Sequence, residues 1–332
     1  MDFKILLKSG IVLRSKFIKT AIVLLIAIVI YAFIGFIIQG KQITSLIISI
    51  YPTLISCGAF ILPILIIKLT RWRLIGSSIG IKIPLIDDAK CWLSSQAFLA
   101  TPGGSGLAIR SLLLEKKHGL RISSTLSAII FERLTDVLSI LVIFVLNISF
   151  LLKEFSLQNK ILITICLPII VYIFYLILQR NNLVGKSIFY ILCKINPKED
   201  ESNINLMTSL RKLFKAKLII STLILGTLTW SIEGYALTLI LKSLSINWIA
   251  ANQAIFAHAA GSLLGALSLF PGGLLTTEIT SIGVLGMFGV PIAIATASTI
   301  LIRLLTIWLA SLIGMIFLFM PSKNIIFNNK VV

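Results

Sequence analysis

Pro102-Gly103-Gly104-Ser105-Gly106 and Pro271-Gly272-Gly273-Leu274-Leu275 stand about half the chain apart, each inside an apolar stretch of membrane thickness. Proline removes a backbone donor and glycine favours non-helical geometry. Each stretch, Asp88–Lys117 and Ala250–Phe288, is therefore predicted to be two shorter helices joined at a tip. The likeness continues downstream. Gly119 and Gly289 are 170 residues apart, as are Arg133 and Arg303, and each arginine precedes a leucine. A helix break used twice marks an internally duplicated protein with discontinuous helices, an architecture by which transporters build a site near the bilayer midplane.

Composition sets the solvent. With 58% hydrophobic residues, 13% charged residues and a mean hydropathy of +1.05, the chain reads as an integral membrane protein. Apolar runs at Ala21–Gln39, Ile43–Leu69, Leu134–Leu152, Ile161–Leu178, Leu218–Leu241 and Pro291–Met320 give six crossings. The expectation is an all-α polytopic protein of six spans plus two hairpins, or up to eight spans. It forms a single membrane domain over 1–332, with one repeat in 1–153 and a second in 160–323. The basic amino end and its apolar run read as a retained first helix, not a signal peptide.

A net charge of +18 invites a nucleic-acid reading, but the charges lie in short loops beside apolar spans, which is the positive-inside pattern. Both termini and the connection 179–217 are then cytoplasmic, and Arg71 and Arg73 belong to a cytoplasmic loop. Ser243–Ile302 holds no Lys or Arg, whereas its counterpart around the first tip is rich in them. The two halves are thus expected to be inverted, each with two spans, a hairpin and a third span. In the connection, Leu206, Met207, Leu210, Leu213 and Phe214 at helical spacing suit either an interfacial amphipathic helix or a plain linker.

Ionisable residues deep in apolar sequence are the candidate site. One at the centre of a span costs about 2.5–3.5 kcal/mol on insertion scales. Helices beginning near Arg121 and Pro291 would place Arg133 and Arg303 about 16 Å along, near the midplane. Their planar guanidinium forks suit phosphate oxygens. Glu132, Arg133 and Asp136 fall within one turn, so Arg133 and Asp136 can also neutralise each other. Arg303 needs a distant partner, Glu278 or Glu233. Glu278 suits the first turn of a helix capped by Thr276, and Glu233 is a partner for an arginine or a proton site. Asp87 and Asp88 read as an N-cap and a first-turn acid, and His258 as a satisfied core histidine. Ser105 and Thr276 could add hydroxyls at the tips, while the glycines could simply allow close packing.

Cys57, Cys91, Cys166 and Cys193 show no metal-ligand spacing, and two histidines support neither a metal site nor a Ser/His/Asp set. No P-loop is present, and no cofactor is expected.

The run from Thr101 through Arg110, Gly119 and Phe131-Glu132-Arg133-Leu134-Thr135-Asp136 resembles the first motif block of the lysylphosphatidylglycerol synthase transmembrane, or flippase-like, family. Phe270-Pro271-Gly272-Gly273, Thr277-Glu278, Gly289 and Arg303-Leu304 with Trp308 resemble the second. The resemblance spans nearly the whole chain, with Arg110 in the first block. It implies a polytopic inner-membrane protein that moves a phospholipid, such as an anionic or aminoacylated one, or a polyprenyl-phosphate-linked sugar. The soluble aminoacyl-transferase domain of the fused relatives has no counterpart in this sequence, so a translocator and not an enzyme is expected. A membrane enzyme or accessory of lipid-linked glycosyl transfer and a small-solute secondary transporter are the alternatives. A homo-oligomer is left open. The second tip departs from the family pattern, with Leu275 where glycine usually follows the first leucine.

Overall fold

The computed structural model describes residues 42–101, 106–151, 208–268 and 270–320. The expected spans Ala21–Gln39 and Ile161–Leu178, the tip residues Pro102, Gly103, Gly104 and Ser105, Leu206, Met207, Cys166, Cys193 and both termini lie outside the described residues.

The described elements are all helical. In order they are α1 (Gln42–Ala59), α2 (Ile61–Ser78), α3 (Leu85–Gln96), α4 (Ile109–His118), α5 (Ile122–Leu151), α6 (Ala216–Ser243), α7 (Ala251–Leu267), α8 (Thr276–Met287), α9 (Ile292–Arg303) and α10 (Leu309–Phe319). A 3-10 turn at Pro271–Gly273 precedes α8, and a π-helical turn at Leu304–Trp308 joins α9 to α10. Among the described residues three runs of 28 residues, Tyr51–Ser78, Ala216–Ser243 and Ile292–Phe319, are long and apolar enough to cross a membrane. Each rises about 42 Å, more than the roughly 30 Å hydrocarbon core.

The expected runs Leu218–Leu241 and Pro291–Met320 lie within two residues of observed helix ends. The run expected to stop at Leu69 continues to Ser78, so Arg71 and Arg73 lie in helix α2 and not in a loop. Arg71 is buried there because Asp136 and the Glu132 carbonyl on α5 receive its guanidinium. The charges that seemed to end the span are compensated by another helix.

Both Pro-Gly-Gly stretches split into two helices. α3 and α4, of 12 and 10 residues, rise only about 18 and 15 Å. α7 and α8 have 17 and 12 residues. Between them Gly272 and Gly273 adopt φ of 61° and 67°, the left-handed region that a side chain resists. Corresponding features recur at a nearly constant offset. α2 and α6 end at Ser78 and Ser243, each followed by a positive-φ residue, Gly80 and Ser245. Gly119 and Gly289 are both positive in φ just before α5 and α9.

Two large apolar clusters do most to hold the described helices together. One gathers Leu237, Ile240, Ala254, Leu285, Ala295 and Ile302 from α6 to α9. The other gathers Trp72, Trp92, Leu114, Phe131, Leu213 and Ile219. Leu213 belongs to a helical turn at 208–213 whose Leu210 and Leu213 are buried, with Phe214 edge-on to Phe131 at 5.6 Å. The described part of the expected amphipathic helix thus packs its apolar face on protein instead of a lipid interface.

Small residues bring backbones close where apolar side chains cannot. A Cβ on Gly261 or Gly265 of α7 would run into Ser281 and Thr277 of α8. One on Gly234 would stand 2.5 Å from the Cα of Ile255, and one on Gly314 would enter the Gln96–Ala97 backbone at the end of α3.

Candidate functional site

Arg110 has a buried side chain near the start of α4. Its Nη1 donates to Glu132 Oε2 at 3.0 Å, its Nε to Ser95 Oγ at 3.2 Å, and its guanidinium lies 4.2 Å from the centre of the Trp72 ring. A buried cation is tolerated only with such partners. From Glu132 the charges continue along α5. Arg133 reaches Asp136 at 3.0 Å, one turn away, and Glu132 at 3.6 Å. Asp136 also binds Arg71 of α2. The local pairing of Arg133 with Asp136 is realised, but Asp136 is shared with an arginine that sequence reading had put in a loop.

One turn before Arg71, α2 carries Lys68. Residues three apart on a helix share a face. Lys68 Nζ is 2.8 Å from Glu233 Oε1 on α6, and the other Glu233 oxygen is 3.2 Å from His258 Nε2 on α7. Trp230 borders the group, 5.8 Å from Lys68 Nζ and 5.9 Å from the His258 ring. Glu233 thus has a lysine partner and no arginine.

The charges therefore run through five helices. Arg110, Arg133, Arg71 and Lys68 supply four cations, and Glu132, Asp136 and Glu233 three carboxylates, so one positive charge is in excess when His258 is neutral. Arg133 and Lys68 are its exposed members, 39% and 29% exposed, while Arg71, Arg110, Glu132 and Glu233 are buried.

The second tip forms a separate centre. Arg303 Nε lies 3.0 Å from Glu278 Oε1, and Arg303 Nη2 donates to the carbonyl of Gly272. Of the two acids expected as its partner, Glu278 is the one. Glu278 does stand in the first turn of α8, but Thr276 is not the cap. Leu275 takes that place with φ 66° and ψ −49°, without a side-chain cap, because the turn leaving Gly273 reaches the helix one residue earlier than the hydroxyl pattern suggested. Arg303 is followed by the π-helical turn, a distortion frequent at functional sites.

The two tips meet. A Cβ on Gly272 would stand 3.6 Å from the Cβ of Ala100, two residues before Pro102. Ala100 packs with Trp308, Leu274 and Ile307. Gly106 donates its N–H to Thr101 Oγ1 at 2.6 Å, and a Cβ there would lie 2.7 Å from Phe98 and Thr101. Close packing alone therefore accounts for glycine at Gly106, whereas Gly272 and Gly273 also need their backbone conformation.

At the start of α3, Asp87 and Asp88 both lie in the first turn, and Pro84 rather than Asp87 is the N-cap. The hydrogen bond from Lys117 holds the Asp87 carboxyl below the usual range. Burial pushes Asp88 up, although Trp72 Nε1 donates to it at 2.8 Å. A cavity of about 380 Å³ beside Asp88 is lined by Trp72, Arg73, Lys82 and Pro84, with none of the expected site residues in its wall.

Sequence reading missed Lys68 and Arg71, and it treated His258 as core only. One signal was available: Lys68 and Glu233 are 165 residues apart, as are the helix ends Ser78 and Ser243. No group of three or more His, Cys, Asp or Glu able to hold a metal occurs among the described residues.

Long apolar helices, broken hairpins and buried ion pairs together define an all-helical integral membrane protein. The model of the lysylphosphatidylglycerol synthase TM region matches residues 22–314, and the chain belongs to that family. A UPF0104 membrane protein of Methanocaldococcus jannaschii is 29% identical over 228 residues, covering 68% of this chain and 94% of that protein. A second UPF0104 membrane protein, from Methanothermobacter thermautotrophicus, is 23% identical over 324 residues, 92% of each chain.

Proposed function

We propose that the protein moves a lipid with an anionic, phosphate-bearing headgroup across the bilayer, through a polar path between two inverted repeats. The observation that carries this reading is the charge chain across α2, α4, α5, α6 and α7, with one cation in excess and with Arg133 and Lys68 exposed. A monoanionic headgroup would complete its charge balance, while the acyl chains remain in lipid. The family's name points the same way, toward membrane lipid chemistry. The recurrence of helix ends and positive-φ turns at offsets of 165 and 170 residues supports a duplicated architecture. A phospholipid and a polyprenyl-phosphate sugar both present the required phosphate. In this reading the protein is a translocator of the inner membrane and not an enzyme, with both termini cytoplasmic.

Arg133 is the better headgroup contact of the two repeat-related arginines. Arg303 is buried and engaged by both Glu278 and Gly272, whereas Arg133 is 39% exposed. The test is purified protein in liposomes, with transbilayer movement of an anionic lipid as the readout. Arg133→Gln should slow movement at least tenfold, equivalent to about 1.4 kcal/mol. Its unfolding temperature should stay near wild type, because Arg71 still neutralises Asp136 and Arg110 still neutralises Glu132. If no anionic phospholipid or polyprenyl-phosphate lipid is accelerated, the reading is wrong.

A further inference from the structure

We infer that Glu233 and His258 form a proton-binding site that exchanges with the lipid headgroup for Lys68, so that headgroup binding takes up a proton. This rests on the translocator reading above and supplies what that reading lacks, an energy source.

The triad of Glu233, His258 and Lys68 is asymmetric. Glu233 and His258 are closed in, 5% and 4% exposed, whereas their third member Lys68 is 29% exposed and sits at the open edge. Each Glu233 oxygen has one of these two partners. An ionised carboxylate only accepts hydrogen bonds, so His258 presents its Nε2–H to one oxygen while the Lys68 ammonium faces the other.

An anion arriving at the open edge draws the Lys68 ammonium outward, since Lys is a point charge on a flexible stem. That leaves the Glu233 carboxylate buried without a counter-charge, a state costing several kcal/mol. Protonation removes the cost. One proton enters the Glu233–His258 pair, as imidazolium facing carboxylate or as a carboxylic acid facing imidazole. The proton belongs to the pair and not to either residue alone. When the headgroup leaves, Lys68 returns and the proton is expelled. The exchange balances one lipid charge and one proton per cycle.

Among the described residues, no other charge is placed to substitute for Lys68. α1 brings Tyr51, which is exposed, and Cys57, whose thiol donates to the Ala236 carbonyl on α6. On α2, Arg71 is held by Asp136, and on α5, Glu132, Arg133 and Asp136 form ion pairs among themselves and with Arg71 and Arg110. From α9, Arg303 is bound to Glu278.

The experiment measures binding and proton uptake together, in weakly buffered detergent solution, with short-chain phosphatidylglycerol as probe and dimethyl phosphate, which stays monoanionic at neutral pH, as the second arm. Wild type should take up about one proton per lipid bound, and its affinity should rise as the pH is lowered, by at most about tenfold per pH unit. Glu233→Gln should show neither the uptake nor the slope. Lipid binding by the wild type without proton uptake overturns this inference and leaves the translocator reading standing. Uptake by Glu233→Gln equal to wild type overturns the assignment to this pair. Uptake with dimethyl phosphate alone supports the exchange and overturns the lipid as the source of the anion. If no anionic lipid binds, the translocator reading fails and this inference falls with it. The wild-type proton count needs no variant to fold.

Discussion

Leu275→Gly should make the protein more stable, although it removes a large apolar side chain. Leu275 is the N-cap of α8 at φ 66°, ψ −49°, a region that L-residues avoid. Backbone strain of this kind costs about 1–3 kcal/mol. Glycine relieves it, at the expense of roughly 0.5–1 kcal/mol for its greater freedom in the unfolded chain. The side chain is 56% exposed, so little packing is lost. Glycine is also a far better N-cap residue than leucine. The net gain is about 1 kcal/mol, or a rise of roughly 2 °C in unfolding temperature for a chain of this size. The assay is thermal unfolding in detergent of wild type, Leu275→Gly and Leu275→Ala. Alanine keeps the Cβ and therefore the strain, so it should not stabilise. A glycine variant that melts at or below the alanine variant would show that the tip is not strained and that the argument is wrong.

Glu278→Gln should destabilise by about 3–5 kcal/mol, because it leaves the buried Arg303 cation without its carboxylate; adding Arg303→Met should recover at least half, and a wild-type melting curve for the single variant would refute the pairing. Gly314→Ala should cost about 3 kcal/mol or more, since its Cβ would meet the backbone of Gln96 and Ala97, which cannot rotate away. Gly283→Ala, with nothing within 4 Å of the new Cβ, should stay within about 1 kcal/mol of wild type or gain slightly from helix propensity. Equal melting temperatures for the two variants would contradict the close crossing of α10 over α3. Single cysteines at Lys116 and Gly286, exposed positions 170 residues apart, should react with an impermeant thiol reagent from opposite faces of a sealed vesicle. Labelling from the same face would exclude the inverted repeat.

Patterns close in sequence were legible, and patterns that need distant helices to meet were not. Pro271-Gly272-Gly273 announced a break because proline and glycine act on their own backbone. Arg133 and Asp136 announced a pair because three residues make nearly one helical turn. Arg303 could be given two candidate acids, but choosing Glu278 required knowing that α8 packs beside α9. The end of α2 was misplaced for the complementary reason. Arg71 looks like a terminating charge until Asp136, 65 positions later, is brought against it.

Leu275 shows the same division within one residue. Its departure from the usual glycine is visible in the chain, but its positive φ appears only when Gly272 and Gly273 have set the path into α8. Apolar run lengths, the two breaks and the membrane as solvent were determined by the sequence itself, because hydropathy and local backbone preference act over a few residues. Which charges neutralise which, and which two cations are left open, was decided by tertiary structure. A buried charge is stabilised by whatever carboxylate the fold places within about 3–4 Å, and that distance is unrelated to separation along the chain.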